Sequence, residues 1–161
     1  MKQSVDVLDA QILALFRAEP RIGVLEASRR LAVARGTVQA RLDRLAAQGI
    51  VTGWGPDVDP VALGFEVSAF VTLEISQRGH RTIETALTLL PEVLEAHTIS
   101  GSGDMLVRVV ARTNADLQRV VDEVLGIEGV ERSNMVIVLA NGVPYRTTPL
   151  LERAANDREG S

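Results

Sequence analysis

The 161-residue sequence contains no cysteine. Disulfide staples, thiolate metal sites and cysteine nucleophiles are therefore excluded, and the chain suits a reducing compartment. Aromatic residues are only 3% of the chain, with one Trp and one Tyr. The core must be built from Leu, Val, Ile and Ala. Histidine occurs twice, at His80 and His97. Without cysteine, a metal site would need carboxylates gathered beside them. His80 reads as a polar-loop residue and His97 as a strand residue, so no metal or other cofactor is expected. No apolar run reaches membrane-spanning length. The stretch from Met1 to Asp9 is charged and lacks the apolar centre of a signal peptide. A soluble, cytoplasmic protein without membrane partners is expected. No Ser/His/Asp set, phosphate loop or dinucleotide fingerprint is present, which speaks against an enzyme.

What is present is a division of charge. The net charge is −4. Residues 1–53 hold eight basic and five acidic side chains, a local +3, which leaves −7 for the remainder. A basic first part and an acidic second part point to two different tasks.

The basic part reads as three helices. Val5 to Ala18 carries Leu8, Ile12, Leu15 and Phe16 at helical spacing, with Asp6 and Asp9 in its first turn and Pro20 after its end. Leu25 to Ala32 forms the second helix. Arg35 to Gln48 forms the third, stopped by Gly49. The connection at Val33–Ala34 is so short that the two helices must cross steeply, which is a helix-turn-helix layout. Ile50, Val51 and Trp54 read as a short strand or packing anchor leaving it. Gly53, Gly55, Pro56, Asp57, Asp59 and Pro60 are the clearest breaker cluster and mark a linker. The expected organisation is 1–53 for DNA binding, 54–62 as linker, 63–150 as a second domain and 151–161 as a flexible polar tail.

The second domain alternates strand and helix signals: strand Val67 to Ile75, helix Ile83 to Leu90, strand Val93 to Ser100, strand Met105 to Ala111, helix Asp116 to Leu125 with Asn114 as N-cap, strand Val130 to Leu139. This βαββαβ order predicts an α+β, ferredoxin-like sheet with both helices on one face. Apolar residues occupy both alternating registers of the strands. The uncovered face is therefore expected to bury against a second subunit.

On the third helix Val38, Leu42 and Leu45 form the inward stripe. Gly36, Thr37, Gln39, Ala40, Asp43 and Arg44 face outward, flanked by Arg35 and Arg41. Small residues allow close approach to a duplex, Gln39 can pair with adenine, and Arg35 and Arg44 can reach guanine edges or phosphates. Arg29 and Arg30 can grip the backbone as the second helix crosses it. Taken alone, the same pattern also describes a solvated amphipathic helix. The three-helix spacing and local charge favour DNA. Ala34, where a Ser or Thr N-cap belongs, forgoes about 1 kcal/mol of capping.

In the second domain, Gly101-Ser102-Gly103-Asp104 can hold an α-amino acid. Backbone N–H groups would take its carboxylate and Asp104 its amine, with Thr98 and Ser133 adding hydroxyls. A plain tight turn, in which the glycines supply positive φ and Asp104 bonds its own backbone, explains the same residues. Trp54 reads as a packing anchor. Asp122, Glu123, Glu92 and Glu95 read as solvated surface.

LEASRRLAVARGTVQARLDRLAAQGIV (Leu25 to Val51) resembles the helix-turn-helix of the leucine-responsive/AsnC, or feast/famine, regulators. Gly101 to Asp104 is similar to that family's Gly-x-x-Asp turn, and LVRVVARTNADLQRVVDEVLGIEGV (Leu106 to Val130) follows it. The resemblance spans Val5 to about Pro149. It implies a winged helix-turn-helix joined to a RAM-type ferredoxin-like domain, dimers that can assemble as octamers of four dimers, and partly palindromic double-stranded DNA as target. It also implies an amino acid or related metabolite as effector, held where dimers meet. The family turn often carries an aromatic residue before the Asp, where this chain has Gly103, and often a hydroxyl residue near Met135. Two other readings remain at this stage: an architectural DNA-wrapping protein, and a non-DNA-binding amino-acid-sensing regulatory subunit.

Overall fold

The computed structural model describes residues 5–76 and 80–159. Contacts divide the chain into two units, 1–57 together with 143–161, and 58–142.

The first unit opens with α1 (Val7–Ala18). Asp6 lies outside the helix as its N-cap, not in its first turn. Its Oδ1 accepts from the Asp9 amide at 2.8 Å, and Asp9 Oδ2 accepts from the Asp6 amide at 3.0 Å. This reciprocal box satisfies two amides that a helix start leaves without partners. Helix α2 covers Val24–Arg30 and α3 covers Arg35–Ala47. The link between them is longer than the expected dipeptide and includes Leu31 and Ala32. Ala32 has φ +53, a left-handed conformation unusual for a residue with a Cβ. Ala34 caps α3 without a side-chain hydrogen bond.

Ile12, Ala27, Val38 and Leu42 pack as one cluster between the three helices. Ile50 and Val51 pair with no strand among the described residues. They pack beside Val5, Ala10 and Leu45, while Trp54, largely exposed, meets Phe16 edge-on at 6.0 Å. The anchor reading holds for this segment. The last residues depart from expectation. Instead of a flexible tail, α6 (Thr148–Glu159) forms, and Ala155 is buried against Val5, Ala10 and Leu45 with Leu151 beside it. The segment's polar composition conceals the few apolar residues that seat it; Gly160 and Ser161 lie outside the described residues.

The second unit begins with a single 3-10 turn (Val61–Leu63). It continues through β1 (Val67–Ile75), α4 (His80–Leu87), β2 (Val93–Thr98), β3 (Met105–Ala111), α5 (Asn114–Leu125) and β4 (Val130–Ile137). The sheet is antiparallel in the order β2-β3-β1-β4. Ala69, Val71, Leu73, Met105, Val107 and Val109 on one face pack against Ile83 and Leu87 of α4 and Leu117, Val120 and Val124 of α5. Two helix starts differ from expectation. Helix α4 begins three residues earlier, at His80, and α5 begins at Asn114 with Thr113 as its cap, since the Thr113 hydroxyl accepts from Asp116 N at 3.1 Å. Both Thr and Asn cap well, so composition alone does not choose between them.

The opposite face carries Phe70, Thr72, Leu106, Arg108, Asn134 and Val136 in paired positions. Val136 is 63% exposed. The Nε of Arg108 and the hydroxyl of Ser68 are buried there without a hydrogen-bond partner.

Candidate nucleic-acid interface and effector turn

Helix α3 turns Val38, Leu42 and Leu45 inward, and all three are buried. Gly36, Gln39 and Ala40 are exposed, with Thr37 half-buried beside them. A Cβ built on Gly36 meets nothing within 4 Å. The surface predicted to approach a duplex is thus open at Gly36. Arg35 is exposed at the N-terminal end of the helix. Gln39 Nε2 donates to Asp43 Oδ1 at 2.7 Å, which holds the amide along the helix surface.

Arg44, expected on the outward face, and Arg41, expected to flank it, are both held by carboxylates. Arg41 Nη1 donates to Asp6 Oδ2 at 2.6 Å and to Asp9 Oδ1 at 2.8 Å. Arg44 Nη2 donates to Asp9 Oδ2 at 2.6 Å. Asp9 is fully buried and takes one arginine on each oxygen. Burial alone would raise the Asp6 carboxyl. The Arg41 hydrogen bond, the Asp9 amide and the charges of Arg41 and Arg44 outweigh it, so its pKa lies below the usual value. The same bonds to Asp6 and Asp9 raise the Arg41 pKa. Asp6, Asp9, Gly36, Thr37, Ala40, Arg41 and Arg44 line one open concavity. Sequence reasoning had Asp6 and Asp9 only as helix-dipole residues. A carboxylate pair at (i, i+3) opposite an arginine pair at (i, i+3) was the available signal.

On α2, Arg30 is engaged on the surface by Glu19 and by Glu26, the latter at 3.3 Å. Arg29 stays within 3.7 Å of Glu26 and is well exposed. These are solvent-screened pairs of small energetic weight, and a phosphate can displace them.

The turn between β2 and β3 brings Gly101, Ser102, Gly103 and Asp104 together. Gly101 has φ +122 and Gly103 φ +104, both closed to ordinary side chains. Gly103 is also held close to β1. A Cβ there would overlap Thr72 Cγ2 and sit 3.2 Å from the Leu73 carbonyl oxygen. An aromatic residue, as the family often has at this point, does not fit this backbone. The Asp104 amide donates to Leu73 O at 2.8 Å, and Asp104 Oδ2 accepts from Ile75 N at 2.8 Å. The carboxylate therefore bonds the neighbouring strand, not its own backbone.

Thr98 and Ser133 are not brought together. Thr98 is in β2 and Ser133 in β4, the two outer strands. Three strand spacings of about 4.8 Å separate them. Glu95 lies 3.2 Å from His97 and 3.4 Å from Arg108, while Glu92 and Glu123 both bind Arg119. Those acids are surface ion-pair partners and not merely solvated. Among the described residues, no group of three His, Cys, Asp or Glu converges as a metal site would require. No described helix is long and apolar enough to cross a membrane.

Comparison with known proteins adds independent findings. A family model described as Lrp/AsnC ligand binding domain matches residues 68–148, and one described as winged helix-turn-helix DNA-binding matches residues 5–52. The chain is 28% identical over 147 residues to the regulatory protein AsnC of Escherichia coli, covering 90% of this chain and 97% of that protein. It is 27% identical over 139 residues to an HTH-type transcriptional regulator of Pyrococcus furiosus, covering 86% and 92%. The solved structure of E. coli AsnC superposes with a TM-score of 0.83 at 27% identity, covering 91% of this chain and all of that one. A Neisseria meningitidis transcriptional regulator solved as a complex with L-Met has the same fold, with a TM-score of 0.80 at 23% identity over 90% and 96% of the two chains.

Proposed function

Because the chain belongs to the Lrp/AsnC family, we propose that it is a sequence-specific transcriptional regulator whose grip on double-stranded DNA responds to an amino acid or related metabolite. The observation that carries the DNA half is the exposed Gly36-Thr37-Gln39-Ala40 surface on a trihelical unit. Had that surface been packed inside, α3 could not enter a groove with it. Arg35 at the helix start and Arg29 on α2 supply cations at the edges of the same unit, for guanine or phosphate contacts. Arg30, Arg41 and Arg44 would reach DNA only while exchanging or sharing their carboxylate partners.

Self-association follows from the uncovered sheet face. Among the described residues, Phe70, Leu106 and Val136 share this face with two buried polar atoms that have no hydrogen-bond partner, a face that a second copy of the chain would complete. A dimer offers two recognition helices for half-sites about 34 Å apart. Larger assemblies, including an octamer of four dimers, build on the same unit.

The effector site is assigned to the Gly101–Asp104 turn. Asp104 has one carboxylate oxygen engaged by β1, so an amine would be met by the other. Thr98 and Ser133 lie too far apart to share one ligand within a subunit, which favours a site completed where subunits meet. The L-Met carried by the Neisseria relative supports an amino acid as the class. A reducing cytoplasm is the compartment that fits.

A gel shift tests the reading. The full chain is titrated into a duplex enriched by it from a random pool, and into a scrambled duplex of equal composition, at one salt concentration. Retention of the enriched duplex at least about 1,000-fold tighter is expected. Equal retention of both would replace the regulator with an architectural binder. No retention of either at low salt would remove DNA as a partner.

A further inference from the structure

We propose that Asp6 and Asp9 are positioning residues for sequence reading. By holding Arg41 and Arg44 in a charge-balanced clamp, they turn two cations of the recognition helix into directed hydrogen-bond donors of no net charge. The inference rests on the DNA-binding reading above.

The geometry favours a built clamp over casual surface pairing. Asp6 and Asp9 cannot swing out to water freely, because each carboxylate also accepts from the other residue's amide in the capping box. Asp9 is wholly buried, with Arg41 on one oxygen and Arg44 on the other. Two acids thus face two arginines, and Arg44 also donates from Nη1 to Gln48 Oε1 at 3.4 Å. The arginines are nevertheless not sealed away. Their side chains keep 26% and 37% of their exposure and line the same concavity as Gly36, Thr37 and Ala40. Arg41 meets both acids through Nη1, and its guanidinium carries further N–H donors on Nε and Nη2.

The consequence follows from how duplex DNA attracts proteins. Each uncompensated cation placed on a phosphate releases counterions and strengthens binding to any sequence. An arginine already neutralised contributes little to that term. Its fixed N–H fork still discriminates a guanine edge from other bases. The clamp therefore lowers sequence-independent affinity while leaving the directional part. Arg29 and Arg35, outside the clamp, remain the phosphate-seeking cations.

The test compares the full-length wild type with Asp9→Asn and Asp6→Asn. Binding to the enriched duplex and to the scrambled duplex is measured from about 50 to 200 mM salt, with a thermal melt of each protein. In Asp9→Asn, affinity for the scrambled duplex rises several-fold at low salt. The slope of log K against log salt steepens by about 0.9 for each arginine released onto a phosphate. The ratio of enriched to scrambled affinity falls. Asp6→Asn changes all three in the same direction and by less, since Asp6 is half-exposed and binds Arg41 alone. A purely structural role would lower the melting temperature and weaken both duplexes together without steepening the slope. Unchanged slope and ratio in both variants, or that parallel loss, overturns the clamp. If Asp9→Asn does not fold, Asp6→Asn alone decides by the same two readouts. If the wild type retains no duplex, the DNA reading itself fails, and the clamp with it.

Discussion

Replacing Gly103 by alanine asks two things of the turn at once. The residue sits at φ +104, where a Cβ costs on the order of 1–3 kcal/mol in backbone strain. The new methyl would also overlap Thr72 Cγ2 and press on the Leu73 carbonyl oxygen at 3.2 Å, so β1 or the turn must shift. Overpacking of this kind costs roughly 1–3 kcal/mol more. Gly101→Ala is the internal control. Its φ of +122 is equally unfavourable, but nothing lies within 4 Å of its Cβ. Chemical denaturation at fixed protein concentration should therefore show Gly103→Ala less stable than Gly101→Ala by about 1–3 kcal/mol. Holding concentration fixed matters because assembly raises apparent stability. Thr72→Ser, which removes the overlapping methyl, should be less harmful in the Gly103→Ala background than in the wild type, by about 1 kcal/mol of coupling. If Gly103→Ala and Gly101→Ala are equal within about 0.5 kcal/mol, the close approach of the turn to β1 is not what this position requires.

Ala155→Asp should destabilise the first unit by about 2–4 kcal/mol. It would bury a carboxylate against Val5, Ala10 and Leu45, and a melt no lower than wild type would mean that α6 does not seat there. Asp6→Asn should flatten the acid limb of stability. The depressed Asp6 pKa contributes stability above its unfolded value of about 3.8, and that stability is lost as pH falls through the lower folded value. An acid-unfolding curve identical to wild type would deny Asp6 that role. Phe70→Asp, placed on the uncovered sheet face, should shift the protein toward monomer in analytical ultracentrifugation. An unchanged oligomer would move the interface elsewhere.

Much of the architecture is legible in the sequence because it is written in local patterns. Leu8, Ile12 and Leu15 repeat at helical spacing, Val38, Leu42 and Leu45 do the same, and strand signals in Val67–Ile75 and Met105–Ala111 stand between breakers. The order of those elements is enough to name a ferredoxin-like sheet, and β2-β3-β1-β4 is the topology found. Errors fell where local signals compete. Thr113 and Asn114 are both good caps, and only the fold chose the first. The 151–161 segment is polar in composition, and nothing in it announces that Ala155 has a place to go.

The candidate site divides along the same line. Which face of α3 is polar, and that Gly101 and Gly103 make a turn, belong to the sequence, since helical periodicity and glycine's tolerance of positive φ act within a few residues. Tertiary structure alone decided that Asp6 and Asp9 meet Arg41 and Arg44 across some 32–35 residues of chain, and that Gly103 lies against Thr72. Charge attracts charge at a distance set by packing, and packing is fixed only when every apolar stripe has found its partner.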